Sequence, residues 1–470
     1  MEKFVARNNE LQSLEDMYQS DRFEMLVIYG RRRVGKTSLI KQFIKNKPAI
    51  YFQGIEATKE LNLGYLSDAI MDFENPNRIN RKFNFADFRD AFEHVQDIAN
   101  QQNEKLVFVL DEFPYLADSA PEVSSLLQFA IDHIYKNFNN IMLVLCGSSM
   151  SFMMHQVLGN KSPLYGRKTG QLKLRPFDIF DMKQSLPKVS NDDLLAYYGI
   201  TGGVPQYINF INQDLTVADN IKNLFLKQTA PLQDEVNVLL QEELRKPATY
   251  YSILVAIAQG KTKTNDIYQM IGLKSATQIS PYLSRLVELE IIERKEPILN
   301  QNKKKAVYVI KDSMFKFWFK FISGVQDQIA LGRVDAVLAR IMDELPRFLG
   351  PVFEQACADW LWKQEQLPII PRQISSWWGF NPILKCQEEV DLVVVNLDNS
   401  QAIVGECKWR GSGKLTSEML TTLQKRATLF SELNNLEQTF LYFFAKNADQ
   451  DFVEKAKQSN IVVINYQNFF

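Results

Sequence analysis

Apolar residues along this chain fall into two kinds of pattern, and the change between them divides it. The first part carries short, β-branched apolar runs at 25–29, 105–110 and 141–146, each far from the next in sequence. Runs of this length without polar alternation predict strands buried on both faces, as in a parallel sheet. Ser38-Leu-Ile-Lys-Gln-Phe-Ile44, after the first run, has the spacing of an amphipathic helix. From about residue 240 the pattern becomes compact helices. Helices are expected over 249–258, ending at Gly260, over 264–271, ending at Gly272, and over 282–289. Strands are expected over 291–295 and 306–310, around the lysine-rich tip Lys303-Lys304-Lys305. Three helices and a hairpin make a winged helix-turn-helix. An aromatic helix over 314–321 follows. Near the end, runs at 388–395 and 401–409 flank the polar turn Asn396-Leu-Asp-Asn-Ser400, which reads as a hairpin.

The first apolar run feeds Gly30-Arg31-Arg32-Arg33-Val34-Gly35-Lys36-Thr37, a complete Walker A phosphate loop between a strand and a helix. Gly30 and Gly35 let the backbone curl so that its N–H groups face an anion, and the helix that follows adds its positive end. This loop, with Ser38, is the expected ATP-binding set. Lys36 is expected to reach the β- and γ-phosphates and Thr37 to ligate Mg²⁺. The second run ends in Asp111-Glu112-Phe113. Asp111 at a strand's carboxyl end is placed to support Mg²⁺, and Glu112 beside it to polarise water; the pair argues for hydrolysis. The third run ends in Gly147-Ser148-Ser149. Either serine is a candidate γ-phosphate or water sensor, and strand-end serines are also ordinary helix N-caps. Arg167, after the turn Ser162-Pro-Leu-Tyr-Gly, is a candidate to neutralise transferring-phosphate charge, within the chain or on a neighbouring copy in a homo-oligomer.

In the hairpin, centring the turn between Asp398 and Asn399 sets Asp391 opposite Glu406 and Glu389 opposite Lys408, all on one face. Opposed carboxylates repel unless a cation joins them or one is protonated. That geometry suits a Mg²⁺ site with Asp391 and Glu406 as ligands and Lys408 activating water. Glu354, read as lying in a helix that starts near Pro351, is the further candidate acid, although acids also favour a helix's first turn for electrostatic reasons alone.

Several of these segments resemble one family. Phe4-Val-Ala-Arg7-Asn-Asn-Glu10-Leu11 is similar to the F-V-G-R-x-x-E-L box that opens archaeal-type ATPases of the STAND branch of the AAA+ superfamily. The phosphate loop, the Asp-Glu-Phe strand end, the Leu-Tyr-Gly-Arg segment and Thr201-Gly-Gly203-Val-Pro205-Gln-Tyr207 fit the same family. The resemblance implies that Arg7 lies near the adenine, with Ala6 replacing the usual glycine, and that the Gly-Gly-x-Pro turn sits in a helical lid. Asp391 with Glu406-Cys-Lys408 resembles the PD-(D/E)XK nuclease core, in which Glu354 matches the acid placed before the hairpin. It is also similar to the carboxyl-terminal domain of uncharacterised function often joined to these ATPases.

The expected architecture is α/β: a P-loop NTPase parallel sheet over 1–175, a helical lid over 176–240, an α+β winged helix over 241–322, and a smaller α/β nuclease-like domain over 323–470. The length of 470 residues accommodates that number of domains. Lys+Arg 54 against Asp+Glu 55 leaves a net charge of −1, so DNA contact requires a local patch. The wing lysines and the carboxyl-terminal domain are the candidates for it, but the third helix carries Glu288 and then Glu290 beside Arg285, which is poor for approaching a polyanion. The four cysteines are scattered, which points to reduced thiols in the cytoplasm, and no run is long enough for a membrane helix. The function expected is Mg²⁺-dependent ATP hydrolysis driving a conformational switch toward an unidentified protein client or DNA. The alternatives are an ATP-regulated metal-dependent DNA nuclease and a nucleotide-gated DNA or protein binding module with little turnover.

Overall fold

The computed structural model describes residues 4–77, 83–299, 306–410 and 413–470. It divides into two compact units, one of residues 1–176 with 204–206 and one of 177–203 with 207–470.

In the first unit, every residue of β1 (Glu24–Tyr29), β3 (Leu106–Asp111) and β4 (Ile141–Gly147) is buried, as unalternating apolar runs require. With β2 (Ala49–Gln53) and β5 (Gly170–Lys173) they form one sheet in the order β2-β3-β4-β1-β5, with every neighbouring pair parallel. The carboxyl ends align: Tyr29 is level with Gly147 and Lys173, and Asp111 with Gln53. Leu14, Ile40 and Phe43 cover one face by packing on Ile28, Val109 and Val144.

The second unit holds a run of helices, among them Asn191–Thr201, and then three more: Pro247–Ala258, Thr264–Met270 and Ala276–Glu288. The last starts six residues before Tyr282 and contains Pro281. β6 (Ile292–Lys295) then pairs antiparallel with β7 (Val307–Ile310). Lys303, Lys304 and Lys305 lie outside the described residues. The aromatic helix spans Ser313–Phe321.

A larger departure follows. The helix expected to begin near Pro351 runs instead from Val334 to Lys363, with Pro346 and Pro351 inside it. Glu354 is therefore deep in a helix, and a first-turn dipole does not account for it.

The second sheet is ordered β12-β11-β10-β9-β8, from β8 (Gln373–Asn381), β9 (Cys386–Val395), β10 (Gln401–Lys408), β11 (Gln438–Ala445) and β12 (Ile461–Asn465). β8, β9 and β10 are antiparallel; β10, β11 and β12 are parallel. The β9–β10 register is the one expected: Val395 faces Ala402 and Leu392 faces Gly405. Helix Ser417–Asn434 packs Leu423 and Phe430 against Val393 and Val404. Among the described residues, no helix is long and apolar enough to cross a membrane.

Candidate functional site

β1 delivers the chain to its carboxyl edge, where Gly30 begins the loop. A side chain at Gly30 would place its Cβ 2.3 Å from the Leu174 carbonyl oxygen, so the loop can run this close to β5 only through glycine. Arg33 and Gly35 have φ of 71° and 90°, which turn the backbone before the helix Lys36–Ile44. Val34 anchors the loop on Leu39 and Leu174. The Lys36 ammonium is buried and donates to the carbonyls of Gly30 and Arg31, each at 3.0 Å. Arg32 donates to the Tyr115 hydroxyl at 3.0 Å, while Ser38 is exposed on the helix. Arg31 and Arg33 are half-buried in the loop.

Asp111 is fully buried and accepts several hydrogen bonds. Its Oδ2 accepts from the Thr37 hydroxyl at 2.8 Å and the Tyr51 hydroxyl at 2.7 Å; its Oδ1 accepts from the Glu112 N–H at 2.9 Å. Glu112 has left-handed backbone, φ 47° and ψ 44°. Its carboxylate accepts from the Ser148 N–H at 3.2 Å and hydroxyl at 2.9 Å. Ser148 thus holds Glu112, and Ser149 precedes the next short helix without a side-chain cap bond.

Arg7 is buried, with φ 68°, and donates to Glu10 at 2.9 Å, to the Val34 carbonyl at 3.4 Å and to the Arg175 carbonyl. Ala6 has φ 57°, a conformation natural to the glycine it replaces. The Gln206 N–H, in the segment 204–206 that belongs to the first unit, lies 3.5 Å from the Arg33 carbonyl.

Arg167 lies elsewhere. Its guanidinium is clamped to Asp132, with Nε 2.9 Å from Oδ2, and to the carbonyls of Pro163 and Tyr165. The Thr169 N–H bonds the Met25 carbonyl, so Arg167 sits at the amino edge of the sheet. The four residue steps of β1 from Met25 to Tyr29 separate that edge from the loop by roughly 13 Å. In this chain Arg167 is thus engaged at the edge of the sheet opposite the phosphate loop.

Within the second unit, Asp391, Glu406 and Lys408 come together. Lys408 Nζ is 3.0 Å from Asp391 and 2.5 Å from Glu406, and the Cys407 N–H donates to Asp391 at 2.9 Å. Arg426, from the helix Ser417–Asn434, bridges Glu388 and Glu406, each at 3.2 Å. Burial, then Asp391, pushes Glu406 above its ordinary pKa. Burial works to lower Lys408, but Asp391 and Glu406 outweigh it and keep the ammonium charged. Burial, then Asp391, pushes Glu354 up to about 7. Two cations compensate the acids here, and among the described residues no group of three His, Cys, Asp or Glu side chains is arranged to hold a metal. Glu354 is not brought into a ligand set with Asp391 and Glu406. Tyr51, Arg426 and Glu388 had no signal in the sequence, because each meets its partner across elements distant in the chain.

Residues 4–211 match the family described as an ATPase domain predominantly from Archaea, and residues 318–428 match one described as Archaea bacterial proteins of unknown function. An uncharacterised protein of Methanocaldococcus jannaschii, MJECL04, is 33% identical over 414 residues, 87% of this chain and 88% of its own length. An uncharacterised ATP-binding protein of the same organism, MJ0423, is 50% identical over 44 residues, 9% of this chain and 75% of its own. Among solved structures, the Walker-type ATPase PABY2304 of Pyrococcus abyssi superposes with a TM-score of 0.52 at 20% identity, covering 67% of this chain and 96% of that one.

Proposed function

The chain belongs to the family of ATPases found predominantly in Archaea, and from that premise we propose that its first unit hydrolyses ATP with Mg²⁺ as a STAND-type AAA+ switch. The observation that carries the reading is the convergence at Asp111, where the Thr37 hydroxyl is 2.8 Å away and Glu112 is the next residue. The donor set fits the expected ligands. Gly30 leaves no room for a side chain, Lys36 offers an ammonium at the loop, and Thr37 and Asp111 present a hydroxyl and a carboxylate of the kind that Mg²⁺ takes. When bound, the metal supplies positive charge for the phosphate oxygens.

Lys36 exchanges its two carbonyl partners for the β- and γ-phosphates, and Thr37 and Asp111 hold the metal. Glu112 orients the attacking water and accepts its proton. The water oxygen bonds to the γ-phosphorus as the bridging bond to the β-phosphate oxygen breaks, releasing ADP and phosphate. Ser148 keeps the Glu112 carboxylate placed. Lys36→Ala is expected to abolish nucleotide binding in calorimetry. Glu112→Gln is expected to retain ATP while phosphate release falls by about 10²–10⁴-fold. Turnover by the Glu112→Gln protein at the parental rate would refute the assignment.

The approach of Gln206 to Arg33 supports a lid that registers the nucleotide. The three helices and the β6–β7 ladder support a winged helix, with DNA as its candidate partner. A second reading, a nuclease-like carboxyl-terminal domain, rests on Asp391, Glu406 and Lys408 meeting at the β9–β10 hairpin. Plasmid nicking in Mg²⁺ by the intact chain, set against Asp391→Ala and Lys408→Ala, tests it. Absence of cutting by all three leaves a fold without cleavage.

A further inference from the structure

Asp111 is held by a residue that lies outside both Walker motifs. β2 runs parallel beside β3, with Tyr51 opposite Val109 and Gln53 opposite Asp111. Positions two apart share a face of a sheet, so Tyr51 and Asp111 project to the same side. There the Tyr51 hydroxyl donates to Asp111 Oδ2 at 2.7 Å, on the oxygen that also accepts from Thr37 at 2.8 Å. The ring has its own place, with the Lys41 ammonium 5.5 Å from its centroid.

A carboxylate that is to hold a cation is oriented by the hydrogen bonds its neighbours make to it. The Glu112 N–H is on the other oxygen, the Thr37 hydroxyl is itself an expected metal ligand, and the Cys146 thiol that also bonds Asp111 is a weak donor. Once Thr37 turns to a cation, Tyr51 is the side-chain donor that still fixes Oδ2. The structure therefore points to Tyr51 as a positioning residue: we infer that its hydroxyl keeps the Asp111 carboxylate aimed, and so sets how strongly Mg²⁺ couples to nucleotide binding. This rests on the Mg-ATP reading of the site.

The test uses the full chain and a non-hydrolysable ATP analogue, whose dissociation constant is measured by calorimetry in excess Mg²⁺ and in EDTA. The ratio of the two constants reports the metal's coupling without any turnover. For Tyr51→Phe, which deletes one oxygen and keeps the ring, the ratio is expected to fall about tenfold while affinity in EDTA is unchanged; bonds to charged groups have this size. An unchanged ratio overturns the inference, as does an equal loss of affinity in both conditions, which would mark a general packing role. Asp111→Ala separates the two levels. If its ratio collapses while that of Tyr51→Phe is unmoved, only the role of Tyr51 falls. If Asp111→Ala also leaves the ratio unmoved, the metal reading falls and the role of Tyr51 falls with it.

Discussion

Replacing Asp359 with asparagine should stabilise the second unit, by an amount that grows with pH. Asp359 lies on the helix Val334–Lys363 and faces Asn191–Thr201, where the Tyr198 hydroxyl donates to it at 2.9 Å. Gln355 donates to its other oxygen, also at 2.9 Å. Burial pushes this carboxyl from 3.8 up to about 6; the bonds from Gln355 and Tyr198 work against the shift and the charge of Asp178 adds to it. The folded state therefore holds the Asp359 proton more tightly than the unfolded chain does. Stability is unaffected below the unfolded pKa and declines as pH rises through the window from 3.8 to about 6. At 1.36 kcal/mol per tenfold, the full effect is about 2–3 kcal/mol, of which about half is present at pH 5. Asparagine keeps an acceptor for Tyr198 and has no charge to bury. All six tryptophans lie between residues 318 and 409, so tryptophan fluorescence reports on the second unit alone. In urea titrations read this way, the advantage of Asp359→Asn over the parent should widen by about 1.5 kcal/mol from pH 5 to pH 8. An equal difference at both pH values, or a less stable variant at pH 8, would refute the reasoning.

The first unit offers two contrasting substitutions. Gly30→Ala sets a methyl against the Leu174 carbonyl, so the loop or β5 must move. Nucleotide binding should be lost and the unit destabilised by about 1–3 kcal/mol, read by calorimetry and thermal melting. Arg167→Ala should leave the nucleotide affinity of the dilute chain unchanged and cost about 1 kcal/mol of stability through the lost Asp132 pair. A fall in affinity would mean that Arg167 reaches the loop after all.

Much of this arrangement is written locally and was legible for that reason. The loop from Gly30 to Thr37 needs only a strand before it and a helix after it, and both follow from apolar spacing over a dozen residues. The β9–β10 register follows from the turn centre, because alternation in a strand fixes every later pair. Pro351 reads as a helix start, since proline removes a donor and strains the preceding turn, yet it sits within a helix, as Pro281 does in another. Buried neighbours such as Leu283 and Leu286, or Val352 and Phe353, bind these helices to the core more strongly than one absent bond weakens them. What could not be read were meetings between distant elements: Tyr51 with Asp111, Ser148 with Glu112, Arg426 with Glu388 and Glu406. No local spacing encodes them. They depend on strand order, and that order also carried Arg167 to the far edge of the sheet.

The backbone at Glu112 has a consequence for how this chain tolerates change. A glycine or asparagine would adopt φ 47° with less strain, by an amount on the order of 1 kcal/mol. Selection for thermal endurance alone would therefore erode the acid at this position, while selection for triphosphate cleavage would retain it. On the hydrolytic reading proposed above, residue 112 is a point where durability and chemistry pull apart.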